Sequence, residues 1–275
     1  MWRLTGFGDE IDPDPVTQLD TLASLGIRHL ELRGAWETNV TRLSDAQVDQ
    51  LRTLLREHRF GVSAIASPIG KIAIGDDFAP HLADFQRVLD LAHHLEAPFV
   101  RIFSFFIPAG DNPAIHRDAV LDQLGRLVNV AADRGITLLH ENEKGIYGDT
   151  PERCHDLLTT IAAPHLRAAW DAANFVQCQV RPFPDGYELL RPEIAYLHVK
   201  DARFGSGEVV PAGQGDGALP ETIAALHASG FDGFCSLEPH LSVAGAFTGY
   251  SGPTHFRQAT TAFIDLLQAE GIAWS

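Results

Sequence analysis

The sequence predicts one α/β domain, a (β/α)8 or TIM barrel, on three observations. Eight short apolar segments rich in branched and aromatic residues recur along the chain. Longer segments of helical period separate them, and 275 residues suit eight such units, which typically need about 250. The strand segments are Leu4–Gly8, Arg28–Leu32, Gly61–Ser67, Phe99–Phe105, Ile136–Asn142, Arg167–Asp171, Ile194–Lys200 and Gly233–Glu238. Strands that alternate with helices imply a parallel sheet, and eight units allow it to close. No shift in composition divides the chain, so residues 1–275 are expected to form a single domain.

The helices carry their own signals. Asp12-Pro13 and Thr150-Pro151 each place a capping residue ahead of a proline at the first helical position. Ser44-Asp45-Ala46-Gln47 reads as a capping box, followed by the apolar stripe Val48, Leu51, Leu54 and Leu55. Leu82, Phe85, Leu89, Ala92 and Leu95 form a second stripe, and Phe256, Ala259, Phe263 and Leu266 a third. All three are expected to pack on the barrel. Short turns at Leu25-Gly26-Ile27, Arg59-Phe60-Gly61, Arg134-Gly135-Ile136 and Ser229-Gly230-Phe231 lead back into strands, with glycine as the left-handed cap. The segments after strands are longer, notably 172–185 and 201–218, and in a barrel that end carries the chemistry.

Composition removes several functions. A net charge of −15 opposes binding to a phosphate backbone, so no nucleic-acid partner is expected. No apolar run approaches the ~20 residues of a membrane span, and the first residues are too polar for a secretory signal. A cytoplasmic location and no membrane partner are the expectation. Cys154, Cys178 and Cys235 form no CxxC pair, against a disulfide framework or a thiolate zinc site, and Cys235 reads as a small core residue.

Four consecutive strands end in a metal-capable side chain. The fifth runs Leu138-Leu139-His140-Glu141-Asn142-Glu143 and the sixth Ala168-Ala169-Trp170-Asp171. The seventh reads Ala195-Tyr196-Leu197-His198-Val199-Lys200, and the eighth Cys235-Ser236-Leu237-Glu238-Pro239-His240. Adjacent strand ends ring one side of a barrel mouth, so Glu141, Asp171, His198 and Glu238 can converge there. A carboxylate ending an apolar strand is costly unless paired or bound to a metal. Three oxygen donors and one nitrogen suit one divalent cation, either manganese, magnesium, cobalt or zinc.

The Glu, Asp, His, Glu series at the ends of strands five to eight resembles the xylose isomerase-like superfamily of barrels. That group holds sugar and sugar phosphate isomerases, ketose 3-epimerases, inosose dehydratases and a DNA-repair endonuclease branch. Ser67-Pro68-Ile69-Gly70-Lys71, the run from His140 through Thr150-Pro151-Glu152, and Ser236-Leu237-Glu238-Pro239-His240 look like its sugar phosphate isomerase/epimerase branch. The resemblance implies that Glu141 and Glu238 are metal-bound glutamates acting as acid and base, with Asp171 and His198 completing the ligands. Asn174 stands where the epimerases often carry a substrate-touching histidine, a departure from the pattern. Arg203 lies near the place of a substrate-binding arginine.

Further substrate-contact candidates come from position. Glu31 and Arg33 share a face of strand two and either touch substrate or pair with each other. Lys71, after Gly70, can meet a phosphate or a sugar oxygen. Glu143 shares a side with Glu141 by the two-residue strand period and can orient Lys144, Lys200 or a ligand. His240 is a candidate substrate donor, whereas His58, His93 and His94 sit on helices as surface residues. The expected activity is isomerisation or epimerisation of a ketose sugar or sugar phosphate through an enediolate, by proton transfer between two carboxylates. Dehydration of a keto-sugar or inosose by the same site is the first alternative. Phosphodiester cleavage and a sugar-binding barrel without catalysis are the others. Subunit number is not encoded in any pattern, and a homo-oligomer stays open.

Overall fold

The structure, a computed structural model, describes residues 1–244 and 249–275. Its eight barrel strands are β1 (Arg3–Gly6), β2 (His29–Leu32), β3 (Gly61–Ala66), β4 (Phe99–Ile102), β5 (Thr137–Glu141), β6 (Leu166–Asp171), β7 (Ile194–Val199) and β8 (Phe234–Leu237). They pair in parallel in the order β1-β8-β7-β6-β5-β4-β3-β2. A bridge between Phe7 and Glu31 joins the two remaining edges, so the barrel is nearly closed. Every expected strand segment overlaps one of these strands, and β1 and β6 each begin one residue earlier than expected, at Arg3 and Leu166. The fourth stops at Ile102 and not at Phe105. There the backbone leaves the sheet: Phe103 and Phe105 donate to the carbonyls of Ile69 and Gly70, and Phe105 takes a φ of 65°.

The helices are α1 (Pro15–Ser24), α2 (Asp45–His58), α3 (Phe78–His94), α4 (Arg117–Asp133), α5 (Pro151–Ile161), α6 (Ala172–Gln177), α7 (Tyr187–Leu190), α8 (Leu219–Ala228) and α9 (Gly252–Ala269). Ser44 and Gln47 form the capping box of α2, and Thr150 caps α5 through the Arg153 amide. The first helix starts two residues later than expected. Asp14 is its cap, accepting from the Thr17 amide, while Asp12 accepts from the Asp14 amide in the turn before it. Both Asp-Pro pairs satisfy the capping pattern, and only the chain path distinguishes them. Gly26, Gly135 and Gly230 take the left-handed conformation as expected, but in the α2–β3 turn Arg59 does so (φ 58°) instead of Gly61. The three stripes face the barrel: Leu51, Leu55, Phe85, Leu89, Ala92, Phe256 and Phe263 are buried in one cluster, with Leu54, Leu82 and Leu266 half-buried at its edge. Cys235 is a free thiol in the core. Among the described residues no helix is long and apolar enough to cross a membrane.

Gly70 sets the loop after β3. Its φ is 90°, and a Cβ there would lie 2.0 Å from the Phe103 carbonyl oxygen, so only glycine fits. This close approach holds Lys71 over the Phe103 ring, with Nζ 4.2 Å from its centroid.

Candidate metal centre

Strand register explains how four residues distant in sequence meet. Asp171 on β6 is paired with His198 on β7, and His198 with Ser236 on β8. Glu238 follows Ser236 by two residues, and Glu141 on β5 is paired with Ala169, two residues before Asp171. With a side-chain period of two, all four point to the same inner side of the barrel at its C-terminal end. One donor atom from each of Glu141, Asp171, His198 and Glu238 lies within 4.8 Å of the others, and all four residues are buried.

Charged neighbours set their ionisation. Arg101 on β4 donates to Glu141 Oε2 at 2.8 Å, and Asn174 on α6 donates to Oε1 at 3.1 Å. Burial opposes ionisation of Glu141, but His198 and Arg101 outweigh it and hold its carboxyl well below the usual range. For Glu238, burial is likewise overcome, by Lys200 and His240. Lys200 Nζ lies 3.1 Å from Glu238 Oε2, and 2.8 Å from Asp171 Oδ2 at ion-pair distance but outside hydrogen-bond geometry. Burial keeps Asp171 above the ordinary carboxylate value although Lys200 opposes this. Burial acts against the charges of His198 and Lys200, yet the surrounding carboxylates raise both well above their usual values. The site is a dense cluster of carboxylates with too few permanent cations. Glu10, Glu31, Glu141, Asp171 and Glu238 are all buried, against Arg33, Arg101 and Lys200.

These residues fit a divalent cation. Neither ring nitrogen of His198 reaches hydrogen-bond geometry with a described residue, although Glu141 Oε1 lies 3.3 Å and Glu238 Oε2 3.7 Å from Nδ1. A buried imidazole left in this way costs about 1–3 kcal/mol. A cation among three carboxylates and Nδ1 would use that nitrogen and supply the missing positive charge.

The other candidates divide into groups. Glu31 and Arg33 bond to different partners. Arg33 donates to Asp9 at 2.8 Å, to Glu238 Oε1 at 3.3 Å and to the Gly249 carbonyl at 3.0 Å. Glu31 accepts from Tyr196 at 2.7 Å and faces His198 Nε2 at 3.3 Å. Asn174 is buried against Glu141 and the Asn142 carbonyl. Lys71 donates to Glu143 at 3.1 Å, and Lys144 lies 3.0 Å from the other oxygen of Glu143. His240 Nε2 is 3.3 Å from Glu238 and 2.9 Å from Glu10. Arg203 is exposed beside Glu208 at 3.4 Å, outside this cluster. Asp9, Glu10 and Arg101 belong to the site and were not among the sequence candidates. Arg101 had a signal, since Phe99-Val100-Arg101-Ile102-Phe103 places a charge inside an apolar strand, as Leu139-His140-Glu141 does.

His140 precedes Glu141 and therefore faces outward from the barrel, where it is buried and its Nε2 has no hydrogen bond to a described residue. Burial lowers its pKa to about 4, only partly offset by Glu141. Above pH ~6.5 the ring is neutral in both folded and unfolded chains. As pH falls from 6.5 towards 4, only the unfolded chain takes the proton, so stability drops by up to about 3 kcal/mol. His140→Leu is expected to flatten the stability–pH slope in this window by about one proton, measured by denaturant unfolding. An unchanged slope would show that folded His140 already carries the charge.

The comparisons agree with this architecture. A family model described as xylose isomerase-like TIM barrel matches residues 19–258. A xylose isomerase-like TIM barrel protein from Mycobacterium smegmatis in complex with magnesium is 20% identical, with a TM-score of 0.74 over 98% of this chain and 97% of that one. A D-tagatose 3-epimerase-like protein is 17% identical, with a TM-score of 0.78 over 98% of both chains. The IOLI protein with a binding zinc atom is 16% identical, with a TM-score of 0.76 over 98% of this chain and 99% of that one. No curated protein matches the chain. With the family model covering most of its length, the chain belongs to the xylose isomerase-like TIM barrel family.

Proposed function

We propose that the protein is a metal-dependent isomerase or epimerase of a small ketose, with Glu141 and Glu238 as its proton-transfer groups. The observation that carries this is the convergence of two buried glutamates with Asp171 and His198 within 4.8 Å. Glu141, Asp171, His198 and Glu238 would hold the ion, and when bound it supplies Lewis-acid stabilisation of charge on a carbonyl oxygen. The chain does the rest. As carboxylates, Glu141 and Glu238 can each take a proton from the carbon beside the carbonyl. The same carboxyl, once protonated, can return it, and two such groups allow removal by one and return by the other. Arg101 and Asn174 orient Glu141, while Arg33, Lys200 and His240 orient Glu238.

The test is a mixed pool of ketoses, ketose phosphates and inososes, incubated with protein loaded with manganese, magnesium, cobalt or zinc in turn. A product of unchanged mass and altered chromatographic mobility supports the proposal. Loss of water points to a dehydratase, a second reading favoured by the N–H groups of Lys200 and His240 beside Glu238, which can protonate a departing hydroxyl. Among the compared structures is a probable 3-DHS dehydratase, 18% identical with a TM-score of 0.71 over 90% of this chain and 92% of that one. No turnover of the pool with any metal would overturn both readings.

The ion pairs favour an unphosphorylated sugar. Lys71, Lys200, Arg33 and Arg101 all face a carboxylate already, so a phosphate dianion would have to displace one. Lys71→Ala is expected to raise KM for a ketose and for its phosphate ester by similar factors. A much larger rise for the ester would identify Lys71 as a phosphate ligand.

A further inference from the structure

We infer that Glu31 is a positioning residue: it fixes the flip and tautomer of the His198 ring, so that Nδ1 is the nitrogen presented to a metal. This rests on the metal-site proposal above and assigns Glu31 a role other than substrate contact. Glu31 has no exposed surface, and its two carboxylate oxygens have separate tasks. Oε2 accepts from the Tyr196 hydroxyl at 2.7 Å. Oε1 lies 3.3 Å from His198 Nε2, and neither atom has a hydrogen bond elsewhere among the described residues. Two buried polar atoms 3.3 Å apart, with no other hydrogen bond among the described residues, are natural partners.

The support behind Glu31 is a chain of hydroxyls across the barrel interior. Tyr196 Oη lies 2.9 Å from Ser63 Oγ, which lies 2.8 Å from Thr5 Oγ1, and Ser63 also donates to the Leu30 carbonyl at 3.2 Å. Thr5, Ser63, Tyr196 and Glu31 come from β1, β3, β7 and β2, and all are buried. Phe7 and Tyr196 meet the His198 ring edge-on, with centroids 5.3 and 5.7 Å away, which restricts its plane. Packing alone does not decide which nitrogen points inward, because the two faces of the ring have similar shape. A carboxylate at Nε2 decides it: Nε2 must carry a hydrogen, and the lone pair of a neutral imidazole is then on Nδ1. Outer-shell carboxylates of this kind orient the ring and raise its basicity towards a metal.

Glu31→Gln discriminates sharply. A glutamine has one acceptor oxygen, so it cannot accept from both Tyr196 and His198 while keeping the shape of the site. Manganese and zinc affinity, measured by calorimetry on the full chain, is expected to fall about 10–100-fold. Tyr196→Phe, which removes only the donor to Oε2, is expected to weaken binding in the same direction by a smaller factor. The second readout is the 15N–1H spectrum of His198. In the zinc-loaded wild-type protein Nε2–H should exchange slowly and Nδ1 should carry the zinc-induced shift, and Glu31→Gln should lose that protected Nε2–H. Zinc on Nε2, or unchanged affinity and spectrum in both variants, would overturn the inference. Should the wild-type protein bind none of the metals, the site proposal fails separately. The Nε2–H signal then still decides: protected in wild type and lost in Glu31→Gln supports the role of Glu31, and no difference refutes it.

Discussion

In heavy water, the wild-type protein with a slowly converted ketose is expected to place deuterium on the carbon beside the carbonyl, and Glu141→Gln or Glu238→Gln to lose this exchange about 10²–10⁴-fold. The magnitude follows from removing the group that accepts the proton while retaining its shape. At position 141 an amide still accepts from one of its two present donors, Arg101 and Asn174, and at 238 from Arg33 or Lys200. The fold around each glutamate should therefore survive, which makes the loss interpretable. Part of it will come from a weaker ion site, because each glutamate is also a proposed ligand. Metal content must be measured on the same samples. Conversion of the ketose without solvent deuterium would indicate transfer of hydride within the substrate. The metal site would then stand and the proton-transfer roles would fall.

The fold was legible because its signals are local and repeated. Each strand is a short apolar run, three of the long helices carry a clear apolar stripe of helical period, and the caps at Ser44 and Thr150 use the residues whose side chains can reach the first free amides. What the sequence misplaced depends on a non-local path. Asp12-Pro13 and Asp14-Pro15 are equivalent as text, and the helix takes the second. In the site, Glu141, Asp171, His198 and Glu238 were legible because each is a polar residue at the end of an apolar strand. The parallel βα crossovers then make neighbours of strands consecutive in sequence. Arg101 carried the same signal one strand earlier, but a metal-ligand search passes over a cation. Asp9 and Glu10 lie beyond β1, which closure brings beside β8. There Glu10 accepts from the His240 amide and the Ser251 hydroxyl at 2.9 Å each. Nothing in the spacing of Glu10 and His240 announces that contact, 230 residues apart. Arg203 shows the reverse: it is close in sequence to Lys200, but the chain turns after Ala202 and leaves it exposed.

One divalent ion per chain is the second expected result, and Lys200 provides its sharpest test. Its ammonium sits between Asp171 and Glu238, two of the four proposed ligands, at 2.8 and 3.1 Å. In the metal-free protein this cation offsets the repulsion among buried carboxylates, and a metal competes for the same oxygens. Lys200→Met keeps most of the length of the side chain and removes the charge. Without metal, the variant leaves two buried carboxylates without their closest cation, and breaking such a pair typically costs about 3–5 kcal/mol. The metal-free variant should therefore unfold at markedly lower temperature than the wild type. Binding of a metal stabilises the folded state by mass action, so the rise in Tm on adding manganese or zinc should be larger in Lys200→Met than in wild type. His198→Ala should behave oppositely, with metal affinity falling severely and the metal-induced rise in Tm nearly lost, because the one nitrogen donor of the proposed site is gone. Elemental analysis after reconstitution counts the ion, and thermal unfolding with and without metal reads the coupling. No ion retained by the wild type after reconstitution with each of the four metals would sink the site. An ion retained, with equal Tm shifts in wild type and Lys200→Met, would leave the site intact. It would also show that Lys200 and the metal do not share Asp171 and Glu238.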